Sequence, residues 1–172
     1  MKTTQEIHEM IKNKNKTLFI LCGLPYSGKS YLSKEIIKNI PIEYISIDDI
    51  FHARGYDWNT NTLPDAKSWS EIFETSYEKT REALNNSKNV LYDSTNHTKT
   101  SRDTLRKVAE SVGADTHVIF IDVPLDTIYK RWEENKANPT RSVVDRELVD
   151  MTIQMFEKPD EDESVISYSI IK

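Results

Sequence analysis

Residues Gly23-Leu24-Pro25-Tyr26-Ser27-Gly28-Lys29-Ser30 follow directly on the apolar run Leu18-Phe19-Ile20-Leu21-Cys22. They hold two of the chain's four glycines, with a lysine and a serine immediately behind the second. That pattern, placed between a strand and a helix, is the pattern of a phosphate-binding loop. Gly23 and Gly28 are expected to supply torsions closed to other residues, so that successive main-chain N–H groups turn inward around an anion. A helix opening near Gly28 adds the positive end of its dipole. Lys29 then reaches the β and γ phosphates of a nucleotide, and the Ser30 hydroxyl ligates a Mg²⁺ ion bridging the same oxygens. An ordinary glycine-containing turn would leave the glycine spacing unexplained. The positions expected to hold the nucleotide are Gly23, Pro25, Tyr26, Ser27, Gly28, Lys29, Ser30 and Tyr31.

Phosphate binding alone does not define a reaction, so the acids matter next. The run Ser46-Ile47-Asp48-Asp49 puts carboxylates at the carboxyl end of a second strand, the edge at which open α/β sheets bind ligands. Asp48 there can accept the proton of an attacking hydroxyl, while Asp49 suits a structural role. The competing reading is that one of the pair caps the helix begun by Ile50 and Phe51. A third run ends in Asp93-Ser94-Thr95-Asn96; Asp93 is placed to hold Mg²⁺, and Thr95 and Asn96 offer hydrogen bonds at the same rim, or form the turn into the next helix. Arg131 and Arg141 flank a polar link between two helices and could close over a phosphoryl group. Alternatively they belong to a solvated face with Glu133 and Glu134 as partners. His8, His52, His97 and His117 lack metal-ligand spacing, which argues against zinc.

These residues need a frame. Short β-branched runs at Thr17 to Cys22, Tyr44 to Ile47, Val90 to Tyr92, Val118 to Val123 and Val165 to Ile171 alternate with helix-like segments, as in an α/β fold with a mostly parallel sheet. Helices are expected over Ser30 to Asn39, Asp65 to Asn85, Thr100 to Val112, Leu125 to Lys136 and Val143 to Phe156, with Ser68 to Glu71 as a capping box and Gly113 as a stop signal. The acidic run Asp160 to Glu163 reads as a solvated turn.

The bulk numbers set the outer limits. A chain of 172 residues with 37% hydrophobic and 30% charged residues suits one globular domain, spanning 1–172, and is too polar for a membrane protein. The single cysteine, Cys22, excludes an internal disulfide and sits inside an apolar run, which suits a buried thiol, a reducing compartment and a cytoplasmic location. The N-terminus lacks the apolar core of a secretory signal. A net charge of −5 argues against an extended nucleic-acid surface without excluding a local basic channel.

Taken together, the glycine loop, Ser46 to Asp49, Asp93-Ser94-Thr95-Asn96, Asp122-Val123-Pro124 with Arg131, and Phe156-Glu157-Lys158-Pro159 resemble the P-loop kinases related to phage polynucleotide kinase and zeta toxin. The resemblance runs from about Lys16 to Lys172. It implies a five-stranded parallel sheet in the order 2-3-1-4-5, Mg·ATP as donor, a hydroxyl acceptor and a helical lid over about 127–145. It also implies Asp48 as general base, Arg131 as a lid arginine, and Asp93, Thr95 and Asn96 beside acceptor and metal. The chain departs from the family pattern in three places. Tyr26 stands where a small residue is common. Phe51 replaces an acceptor-binding arginine of the polynucleotide kinase, leaving Arg54 one turn on, and Arg141 stands in for a second lid arginine near Asn135. The reading from sequence is an ATP-dependent kinase acting on a hydroxyl of a small molecule or a nucleic-acid end. The alternatives are a 5'-hydroxyl polynucleotide kinase, or a nucleotide switch without an acceptor.

Overall fold

The computed structural model describes residues 1–168. Its centre is a parallel sheet of five strands in the order β2-β3-β1-β4-β5. The strands are β1 (Thr17–Cys22), β2 (Glu43–Ser46), β3 (Val90–Asp93), β4 (Asp115–Ile121) and β5 (Val165–Tyr168). The part of the fifth expected run at 169–171 lies outside the described residues. All strands are parallel, so their carboxyl ends meet at one edge, which Cys22, Ser46, Asp93 and Ile121 reach together.

Parallel strands covered on both faces must be apolar at every position. In β1, Leu18, Ile20 and Cys22 pack to one side with α3 (Ile47–Ala53), α4 (Ala66–Asn85) and α5 (Lys99–Glu110). Phe19 and Leu21 pack to the other, with α1 (Thr4–Lys12) and α2 (Lys29–Asn39). Helices α6 (Leu125–Ala137) and α7 (Arg146–Gln154) form a separate arm whose small core is Ile128, Trp132 and Val149, joined by Tyr26 of the glycine loop.

Several local expectations are corrected. The N-terminal segment, read above only for its lack of a leader, forms α1. Thr3 Oγ1 accepts from the Glu6 amide and Glu6 returns the bond to the Thr3 amide, while Ile7 and Ile11 share the buried face. That Thr-x-x-Glu spacing is a readable capping signal. Helix α4 is capped by Asp65, whose Oδ1 accepts from the Ser68 amide at 2.7 Å. The expected Ser68–Glu71 box does not form, because Ser68 already lies inside the helix that Asp65 caps, and Glu71 pairs with Arg54 instead. Helix α7 starts three residues later than Val143. Val144 is held outside the helix there: its carbonyl accepts from Trp132 Nε1 at 2.8 Å and its N–H donates to the Tyr26 hydroxyl at 3.4 Å.

The acidic run is an exposed turn at Asp160, Glu161 and Asp162, as expected, but not at Glu163. Glu163, 1% exposed, takes a two-pronged bond from fully buried Arg102 at 2.7 and 3.0 Å and a third from Arg106 at 2.7 Å. Burial by itself raises the Glu163 carboxyl, but these cations outweigh it and hold the group down at about 2.

Candidate active site

The loop between β1 and α2 is shaped by three residues in different ways. Gly28, at φ 105, caps α2 without a side chain, so the free amides of the first turn face the loop. Gly23 has no such torsion, which corrects the expectation that both glycines serve the same need. A Cβ at Gly23 would lie 2.8 Å from Ser27 Oγ and 3.2 Å from the Ile121 carbonyl, so the requirement there is space. The other left-handed residue of the loop is Tyr26, at φ 65.

The loop's polar groups are poised for an anion. Ser27 Oγ is buried and has no hydrogen-bond partner among the described residues. Lys29 Nζ folds back to the carbonyls of Gly23 at 2.8 Å and Leu24 at 2.9 Å, which take two of an ammonium's three donors among the described residues. Burial lowers the Lys29 amine to about 8, against the opposing charge of Asp93. An orphaned buried hydroxyl, a glycine cradle and a desolvated lysine fit a polyphosphate.

Facing Lys29 are the two acids. Asp93, at the tip of β3, is pushed up by burial and steadied by Lys29, and its Oδ2 accepts from the Tyr44 hydroxyl at 2.7 Å. Tyr44 gave no sequence signal, because only the β2–β3 register brings it there. Asp48 lies exposed in the first turn of α3, close enough for its charge to act on both Lys29 and Asp93. Neither Asp48 nor Asp49 caps that helix. Ser46 does, its Oγ accepting from the Asp49 amide at 3.1 Å, which leaves Asp48 free of a capping bond.

The arm reaches the loop through both expected arginines. Arg131 Nη1 donates to the carbonyls of Tyr26 at 3.1 Å and Ser27 at 3.0 Å, so it is not part of a solvated face with Glu133 and Glu134. The Arg141 guanidinium lies 4.8 Å from the centre of the Tyr26 ring, and its charge also acts on Lys29. Between loop and arm opens a cavity of about 770 Å³, lined by Gly28, Ser30, Tyr31, Arg131, Thr140 and Arg141 among others.

Three expected substrate residues bond to other parts of the protein in this structure. The Thr95 carbonyl accepts from the Gly23 amide at 3.2 Å, tying the third strand's loop to the first. Asn96, 5% exposed, turns its amide to the Leu21 carbonyl at 2.7 Å, while its own carbonyl accepts from Arg102 at 3.0 Å. Arg54 is bound to Glu71 at 3.0 Å and to the Thr75 hydroxyl at 2.9 Å on α4. Asn96 and Arg54 therefore brace the cleft walls in this structure, because nearer protein acceptors take their donors. The sequence reading missed Arg102: one more arginine on an amphipathic helix looks like surface.

A five-stranded parallel sheet in this order, with a phosphate loop at the tip of its central strand, defines the P-loop kinase-like fold. The chain belongs to the AAA domain family, which residues 18–159 match. It is 28% identical over 165 residues to an L-seryl-tRNA(Sec) kinase of Methanococcus maripaludis, covering 85% of this chain and 62% of that protein. The chain thus spans less than two thirds of that relative's length. The crystal structure of Chaetomium thermophilum Kti12 in complex with ADP-AlF3 superposes with a TM-score of 0.66 at 18% identity, covering 89% of each chain. A gluconokinase from Sinorhizobium meliloti gives 0.62 at 15% identity, covering 91% of this chain and 84% of its own. No helix among the described residues is long and apolar enough to cross a membrane.

Proposed function

We propose that this chain is an ATP-dependent kinase, one domain over 1–172, that moves the γ-phosphoryl group onto a hydroxyl of a small molecule or a nucleic-acid end. The observation that carries the reading is the opposition of Lys29, in its phosphate loop, to Asp48 and Asp93 with two arginines over the loop's rim. A kinase relative and a kinase of the same fold support it.

In this reading the loop amides, Ser27 Oγ and Lys29 hold the β and γ phosphates. Ser30 and Asp93 would hold Mg²⁺, which when bound neutralises charge on the phosphate oxygens. Asp48 accepts the proton of the acceptor hydroxyl as its oxygen bonds to the γ phosphorus, and the bond from that phosphorus to the bridging oxygen breaks to release ADP. Arg131 and Arg141 stabilise the moving charge, and the segment 127–145 acts as a lid that keeps water out. Thr95 contributes through its carbonyl to loop position. Asn96 and Arg54 take supporting roles outside the acceptor site.

A turnover screen of hydroxyl compounds with Mg·ATP tests the proposal. Acceptor-dependent ADP release that Lys29→Ala removes is the expected outcome, and turnover indifferent to every acceptor would favour a nucleotide switch instead. The relative named for a seryl-tRNA substrate favours nucleic acid as a second reading. Phosphorylation of an oligonucleotide that weakens steeply as salt rises would select it.

Lys29 also sets a pH dependence. Its lowered position means that the free protein loses the charged amine as pH rises through about 8. Nucleotide affinity should therefore hold below that pH and fall above it, by up to about tenfold per unit. Lys29→Arg, whose guanidinium stays charged, should flatten the profile. Calorimetric titration with ADP between about pH 7 and 9.5 measures this, and a flat wild-type profile would contradict the assignment.

A further inference from the structure

Tyr26 occupies a backbone conformation that suits glycine better than an aromatic residue: φ is 65, in the left-handed region. Strain of this kind persists only where the surroundings over-determine it. Here the surroundings are the α6–α7 arm. The Tyr26 side chain, 6% exposed, fills the arm's core beside Ile128, Trp132 and Val149. Its hydroxyl accepts from the Val144 amide at 3.4 Å, its carbonyl accepts from Arg131 at 3.1 Å, and its ring carries the Arg141 guanidinium at 4.8 Å. Four separate features of one loop residue thus engage α6, the link at 138–145 and α7. A glycine would relieve the backbone but leave the arm's core open and Arg141 without its ring.

We propose that Tyr26 is a positioning residue that keys the helical arm to the phosphate loop, holding the arm over the loop before nucleotide arrives and seating Arg141 at the rim. The seating of Arg141 for catalysis rests on the kinase reading; the fastening of the arm does not. The physical consequence is pre-organisation. A nucleotide entering the cleft need not order the arm, so less of its binding energy is lost to that step. Of the ring's contacts, the guanidinium over it is the one that acts at the phosphate site; Arg141 is exposed, and a cation–π contact there biases the arginine toward this seat.

The test compares the full chain with Tyr26→Phe and Tyr26→Gly. Limited trypsin digestion without nucleotide reads the fastening through cleavage after Lys136, Arg141 and Arg146. Tyr26→Gly should raise the initial rate there about tenfold, with cleavage in α5 unchanged, while Tyr26→Phe, which keeps the ring, should stay within about twofold of wild type. Equal rates for wild type and Tyr26→Gly, or a parallel rise in α5, would overturn the fastening. Titration then reads the seating of Arg141. Tyr26→Gly should weaken a non-hydrolysable ATP analogue about tenfold and ADP by less than about threefold. Equal losses for both ligands would overturn the seating. Should the wild-type chain bind neither ligand, the kinase reading fails, and the digestion without nucleotide still decides whether Tyr26 fastens the arm.

Discussion

Asp48→Asn should lower the rate of phosphoryl transfer by about 10²- to 10⁴-fold, the usual contribution of a positioned general base. Nucleotide affinity should change little, because Asp48 lies across the cleft from the loop and makes no hydrogen bond to it among the described residues. The asparagine keeps the size and most of the polarity of the side chain but has no proton-accepting charge near neutral pH. The loss therefore belongs in kcat, with the nucleotide KM within a few-fold of wild type. Steady-state kinetics on an acceptor found by the screen, with ADP titration alongside, separates the two. Full transfer activity in Asp48→Asn would remove the base from the proposal while leaving the phosphate site intact. The converse variant, Lys29→Ala, should lose nucleotide affinity itself, since it deletes the loop's only cation while the anion cradle remains.

The second large effect is on stability. Arg102 is fully buried and gives Glu163 two of its three cationic hydrogen bonds, while a further N–H holds the Asn96 carbonyl. Arg102→Met keeps much of the volume but takes away Glu163's buried counter-ion, leaving it Arg106 and the Asp160 amide. Breaking a buried pair from one side costs about 3–5 kcal/mol. For a domain of this size that corresponds to a fall in Tm on the order of 10 °C. The double variant Arg102→Met, Glu163→Met should recover part of the loss, because no uncompensated charge stays inside. Thermal unfolding of the two single variants and the double measures the coupling, and additive losses would show that the pair is not the source. The sign with pH follows from the depressed Glu163 group. Its stabilisation is complete above the ordinary glutamate range near 4.5 and is lost as pH falls towards about 2. Acid unfolding should shift upward in pH when Arg102 is replaced.

The network reaches the candidate site through short steps. Arg102 holds Asn96, Asn96 holds the Leu21 carbonyl, and the neighbouring Thr95 carbonyl holds the Gly23 amide. The tip of β1 is thus fixed by Arg102, Asn96 and the Thr95 carbonyl, which is how a short loop with a strained residue keeps one shape.

Local chemistry alone determined much of this protein. The glycine spacing with Lys29 and Ser30 marked the phosphate loop, because few other pressures place those residue types together. The unbroken apolar runs gave the strands of a two-sided parallel sheet, since alternation would have left one face wet, and family resemblance supplied their order. What only the tertiary structure decided lies in contacts between residues far apart in the chain. Nothing near Glu163 announces that Arg102, sixty-one positions earlier, will neutralise it in the interior. The same holds for Tyr26, whose strained backbone and buried ring make sense only once α6 and α7 are seen against it. Asp48 was legible as an acid at a strand's end, but its freedom from capping depended on whether Ser46 or an aspartate closed the helix. Spacing reports local geometry, whereas the partner of a buried charge or a strained ring is set by which surfaces the chain folds against each other.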